Sequence, residues 1–80
     1  MNKKSMPLSK LLETEKGKVK QINVDGPIRR RLLDLGLING TTIETLQKSP
    51  FGDPIAYLIR GTVIALRQEI SSMILVEKVW

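Results

Sequence analysis

The chain has 80 residues, a formal net charge of +5, no cysteine and no histidine. This length supports one small domain, and such a domain buries only about 60% of its unfolded surface, so its core must be compact. The missing cysteines exclude a disulfide framework and a thiolate metal site. The missing histidines remove the commonest metal ligand and the usual general base at neutral pH, and most enzymatic readings go with them.

The remaining charged ligands are eight carboxylates, Glu13, Glu15, Asp25, Asp34, Glu44, Asp53, Glu69 and Glu77. They are scattered without ligand spacing, so no metal site and no cofactor are expected. The basic balance invites a nucleic-acid reading. Against it, Lys3 and Lys4 lie in the first few residues, and Phe51, Tyr57 and Trp80 are the whole aromatic supply for stacking on bases. No run approaches the roughly 18 apolar residues of a membrane span. No apolar stretch follows the N-terminal charges, as a secretory signal requires. A cytoplasmic location is the expectation.

Met1 to Met6 is polar and charged and reads as a disordered leader, with the domain running from Pro7 to Trp80. Leu8, Leu11 and Leu12 are apolar anchors, and Glu13 to Lys16 turns the chain. Gly17 to Val24 reads as a strand whose apolar phase slips between Val19 and Ile22, which a β-bulge near Lys20 and Gln21 repairs. Lys16, Lys18 and Lys20 alternate on this strand and read as a solvated face.

Asp25-Gly26-Pro27 opens a helix, since proline suits the first helical turn. Ile28, Leu32 and Leu35 recur at i, i+4 and i+7 and define its inner face, broadened by Leu33. Gly36 stands where a left-handed cap is wanted, and Leu37 is placed to fold back on Leu32. Arg29, Arg30 and Arg31 fall on the remaining, solvated side, with Asp34 one turn beyond Arg30 for a weak ion pair. Asn39-Gly40 is a turn.

Thr41 to Ser49 reads as a strand, and Pro50-Phe51-Gly52-Asp53-Pro54 closes a hairpin in which Asp53 bonds its own backbone and Pro54 fixes φ. Phe51 at that tip is a core plug or a partner anchor. Ile55 to Arg60 alternates as a strand, Gly61 breaks it, and Thr62 to Leu66 is the next. Arg67 to Ser72 reads as a short helical turn. Met73 to Val79 is the last strand, with Ile74 and Val76 facing in. Met73 and Leu75 are then covered by Leu8 to Leu12, or are exposed for a partner or for weak self-association. The sum is mostly β, about five short strands and one helix forming a small closed or partly closed barrel.

The run Arg29 to Leu37, then Asn39-Gly40, Gly52-Asp53-Pro54-Ile55, Gly61, Ala65-Leu66-Arg67 and Ile74-Leu75-Val76, resembles in order and spacing the FeoA family, ferrous iron transport protein A. The resemblance covers about Leu8 to Val79 in a free-standing, single-domain form. It implies an SH3-like small β-barrel with one short α-helix inserted after an early strand. It implies an accessory role in bacterial ferrous iron uptake beside FeoB, a membrane GTPase and transporter, with recruitment to the inner face of the membrane and no catalysis by this chain. Arg29, Arg30, Arg31, Leu33 and Phe51 are the candidate partner-binding residues. Leu32, Leu35, Gly36, Gly40, Gly52, Asp53, Pro54, Ile74 and Val76 carry the structural motif. The alternative from composition is a nucleic-acid-binding small β-barrel.

Overall fold

The computed structural model describes residues 5–79. Most of the expected leader, Met1 to Lys4, and the terminal Trp80 lie outside the described residues. In chain order the elements are β1 (Met6–Pro7), a 3₁₀ turn (Leu8–Lys10), β2 (Lys16–Ile22), α1 (Gly26–Asp34), β3 (Thr42–Lys48), β4 (Ile55–Ile59), β5 (Thr62–Leu66), α2 (Gln68–Ser71) and β6 (Ile74–Val79). The six strands form one antiparallel sheet in the order β1-β6-β2-β3-β4-β5. The sixth strand, beyond the expected set, is β1. Met6 and Pro7 pair with Val76 and Leu75, so the chain enters the fold at Met6, one residue inside the expected leader.

Two irregularities let this sheet curl. Lys20 is the extra residue where β2 runs along β6, as the slip in apolar phase anticipates, and Leu46 is its counterpart where β3 runs along β4. A bulge adds a residue to one strand, bends it and increases its twist. The first one turns both Lys20 and Gln21 outward and returns Ile22 to the interior beside Val19.

The core gathers Leu8, Leu11, Val19, Ile22, Val24, Leu32, Leu37, Ile43, Ile55, Tyr57, Ile59, Leu66, Ile74 and Val76. Ile74 and Val76 point inward as their alternation predicts. Leu8 and Leu11 do not lie over the outside of β6; they enter the core itself, while Leu12 stays exposed. That insertion needs room. A Cβ on Gly17 would sit 2.8 Å from Val76 Cγ2 and 3.0 Å from Leu11 Cδ1, so the hydrogen at this position is what lets the three elements close.

The helix ends as its sequence predicts. Gly36 lies at φ 96°, its N–H donates to the Leu33 carbonyl at 2.9 Å, and the Leu37 N–H donates to the Leu32 carbonyl at 2.9 Å. This is a Schellman cap, and it drops Leu37 into the core directly beneath the helix. The inner face is narrower than its spacing suggests. Leu32 is buried at 2% exposure, Leu35 is half-buried, and Ile28 is 46% exposed. A nine-residue helix lying on so small a barrel touches it through little more than one side chain per turn.

Candidate partner-binding surface

Successive helix residues are turned by about 100°, so a run of three cannot share one environment. The Arg29 guanidinium is half-buried and folds back on the end of β2, where Nη1 donates to the carbonyls of Ile22 at 2.6 Å and Val24 at 3.3 Å. It fastens the helix to the sheet and is not a solvated arginine, contrary to the expectation from its spacing. Arg30 lies on the outer side in a shallow depression with Gly26, Arg29, Leu33 and Asp34. The expected Arg30–Asp34 pair is not among the ion pairs of the described residues, which are Lys20–Glu77, Arg67–Asp53 and Lys78–Glu15. Arg31 faces the other way, toward β5. Leu33 is 40% exposed beside Arg30.

Between α1 and β5 runs an open groove of about 530 Å³. Ile28, Arg31, Leu32 and Leu35 form the helix wall, all of β5 forms the other, and Arg67 and Ile70 complete it. The residues that the narrow helix–barrel contact leaves uncovered, Ile28 and Leu35, therefore face a cleft and not open solvent.

The β3–β4 hairpin carries Phe51 at its tip, 95% exposed, so it is no core plug. Below it Asp53 does not bond its own backbone. Its Oδ1 accepts from the Gln68 N–H at 2.8 Å, and its Oδ2 lies 3.7 Å from Arg67 Nη1. The carboxylate caps the first turn of α2 from a distant loop, so the hairpin and the groove share an anchor. Gly40 and Gly52 sit at φ 92° and 82° in their turns, and the Asp53–Pro54 peptide is cis.

The lysines of β2 are exposed but interleaved with opposite charge. Lys16 stands across from Glu44, Lys18 across from Glu77, and Lys20 Nζ is 3.9 Å from Glu77 Oε1. Across the same sheet Glu15 meets Lys78 at 2.6 Å and accepts the Leu12 N–H at 2.8 Å. The Lys78 hydrogen bond first, and the Leu12 N–H second, hold the Glu15 carboxyl below its ordinary pKa. Inside the barrel, burial pushes the Tyr57 phenol up, which the nearby Ser71 hydroxyl partly offsets. Among the described residues the phenol oxygen finds no hydrogen-bond partner of regular geometry.

Among the described residues no three carboxylates gather into a group able to hold a metal ion, and no helix is long and apolar enough to cross a membrane. A bulged six-stranded antiparallel barrel, one helix stapled across it, and exposed apolar groups flanked by arginines define a small SH3-like module.

The FeoA domain model matches residues 6–78, and the chain belongs to the FeoA family. A relative in Porphyromonas gingivalis, a fusion of Fe(2+) transport protein A with the Fe(2+) transporter FeoB, is 33% identical over 72 residues, covering 90% of this chain. The chain spans 8% of that fusion protein's length. The solution structure of a FeoA protein from Chlorobium tepidum superposes with a TM-score of 0.90 at 32% identity, covering 94% of this chain and 71% of that one. The FeoA-like protein of Clostridium acetobutylicum superposes with a TM-score of 0.86 at 36% identity, covering 100% and 92%. The family belongs to ferrous iron transport, and the SH3-like fold stands as the resemblance implied.

The candidate partner-binding residues Arg29, Arg30, Arg31, Leu33 and Phe51 are not gathered at one spot, and Leu33, expected to broaden the inner helix face, is 40% exposed because the small barrel covers only the Leu32 side of the helix. Arg30 and Leu33 share one patch, Arg31 faces the groove, and Arg29 is fastened inward. The β5 wall is missing from the expected set. Its signal is present in the sequence: Val63-Ile64-Ala65-Leu66 is apolar at every position, and a strand with one solvated face alternates.

Proposed function

We propose that this chain is a cytoplasmic accessory protein of ferrous iron uptake that docks on a FeoB-type membrane GTPase and modulates its transport or assembly. The observation that carries the reading is the fusion relative, in which a homologous domain and the transporter FeoB are one polypeptide. Fusion fixes two modules at high effective concentration, an arrangement suited to partners that act together. The surface suits docking: an exposed phenylalanine on a hairpin held by Asp53, and an Arg30–Leu33 patch on a helix pinned by Arg29. Aromatic and arginine side chains on rigid supports are the groups that dominate interface energetics. Catalysis belongs to the transporter's GTPase in this reading, and this chain supplies contacts.

The test is capture of detergent-solubilised FeoB, and separately of its cytoplasmic GTPase domain, on the immobilised 80-residue chain. Capture of either, weakened by Phe51→Ala or by Arg30→Ala with Leu33→Ala, is the expected result. No capture of either preparation sinks the proposal. GTP turnover measured in the same samples decides between modulation and assembly alone. A large acceleration abolished by Arg30→Ala or Arg31→Ala makes the arginine part of the GTPase chemistry.

A further inference from the structure

We propose that the groove between α1 and β5 takes an extended, acidic segment of a partner protein, which adds as a seventh strand to the open edge of β5. The inference rests on the reading of the chain as a docking module and names what one of its faces accepts.

Three observations converge on it. First, among the described residues β5 is the outermost strand of the sheet, with β4 its one neighbour. Ile59 and Thr62 pair across the two-residue turn Arg60–Gly61, so they exchange the backbone hydrogen bonds that close the hairpin. Alternation along the antiparallel ladder then directs the N–H and C=O of Val63 and Ala65 away from β4 and off the edge. An exposed edge with free backbone groups recruits a strand unless something covers or charges it. Here the edge residues are apolar, and Val63 is 64% exposed.

Second, the edge has a wall. Ile28, Leu32 and Leu35 stand across the groove from it, so an added strand would bury alternate side chains against the helix while its backbone pairs with β5. Peptide-binding domains that work by strand addition draw affinity from the backbone ladder and specificity from pockets for alternate side chains. Third, the charge is one-sided. Two guanidiniums, Arg31 and Arg67, line the groove, and among the described residues no carboxylate lines it. Arg67 is partly answered by Asp53 at 3.7 Å, whereas Arg31 is in none of the ion pairs of those residues. An occupant that alternates apolar residues with aspartate or glutamate meets both features. A lysine-bearing strand meets the backbone edge and is repelled by the arginines.

The probe is a capped seven-residue peptide alternating glutamate with valine or leucine. Its controls are the same peptide with lysine for glutamate, and one N-methylated on the side that pairs. Titration into the isotope-labelled 80-residue chain follows backbone amides by shift and hydrogen exchange. The expected result is saturable shifts along β5 and new exchange protection at the Val63 and Ala65 amides. Arg31→Glu weakens binding by about tenfold or more, and the lysine and N-methylated peptides bind far less. Because the N-methylated control leaves the protein untouched, a folding defect cannot imitate the result. The proposal is overturned by no saturable binding, by equal binding of the lysine peptide, or by shifts without protection at Val63 and Ala65. Protection that grows with protein concentration in the absence of peptide also overturns it, making the edge a contact between copies of this chain. Loss of peptide binding with FeoB capture intact removes the groove and leaves the docking reading standing.

Discussion

The carboxylate of Asp53 caps a helix fifteen residues further along the chain: its Oδ1 accepts the Gln68 N–H at 2.8 Å. The hydrogen bond ties the loop carrying Phe51 to the first turn of α2, and the same carboxylate lies 3.7 Å from Arg67 on the groove. A four-residue helix has no internal redundancy, so an amide left without its acceptor matters more here than in a long helix. Asp53→Ala is expected to cost about 1 kcal/mol, the usual loss on removing a helix-capping oxygen. Asp53→Asn keeps an acceptor and loses less. Urea denaturation gives the stability, and exchange at the Gln68 amide gives the local effect. If Asp53→Ala leaves Gln68 exchange unchanged, the cap is not formed in solution.

The helix contributes to the core chiefly through one residue. Leu32 is buried, and its carbonyl also accepts the cap from Leu37. Leu32→Ala deletes a packed side chain and is expected to destabilise by about 2–5 kcal/mol. Ile28→Ala, at a position that is 46% exposed, should cost well under that, about 1 kcal/mol or less. Chemical denaturation of the two variants ranks them. Equal losses would mean that Ile28 packs inward as its spacing alone suggests.

Two glycines are predicted to resist substitution for different reasons. At Gly36 the backbone lies at φ 96°, which β-branched residues adopt only under strain, so Gly36→Val should damage the cap. At Gly17 the obstacle is space, because any Cβ falls against Val76 and Leu11. Gly17→Ala overpacks the core and is expected to cost about 1–3 kcal/mol. The two mechanisms separate in a rescue experiment: Val76→Ala should restore part of the loss in Gly17→Ala and none in Gly36→Val. Failure of that rescue would show that Gly17 is required for another reason.

The parts of this fold legible in the chain are those set by local rules. The phase slip at Lys20 marks the bulge, Gly36 marks the helix end, and alternation marks Ile74 and Val76 as core. What was not legible depends on partners far apart in sequence. Whether Arg29 is solvated depends on where the carbonyls of Ile22 and Val24 end up, and turn propensity cannot reveal that Asp53 will face α2. The groove exists because β5 is an edge strand, a property of strand order that no segment of β5 encodes by itself.

The Glu15–Lys78 pair makes a prediction about acid. In the folded chain the Lys78 hydrogen bond and the Leu12 N–H hold Glu15 below its ordinary pKa, so the folded state binds this proton less readily than the unfolded chain does. The resulting stabilisation is complete above the ordinary glutamate value and is lost as the pH falls through the depressed folded value. Glu15→Gln removes the charge while leaving an oxygen to accept from Leu12. The gap between the melting temperatures of the native chain and this variant should therefore be open at neutral pH and close as the pH falls below the ordinary glutamate range. The pair is half-buried but still meets solvent, so the gap should also narrow in high salt. Melting curves across that range provide the check. A gap independent of pH would mean that Glu15 acts through packing or its Leu12 hydrogen bond, and that the charge on Lys78 contributes nothing to holding β6 against the Glu13–Glu15 turn.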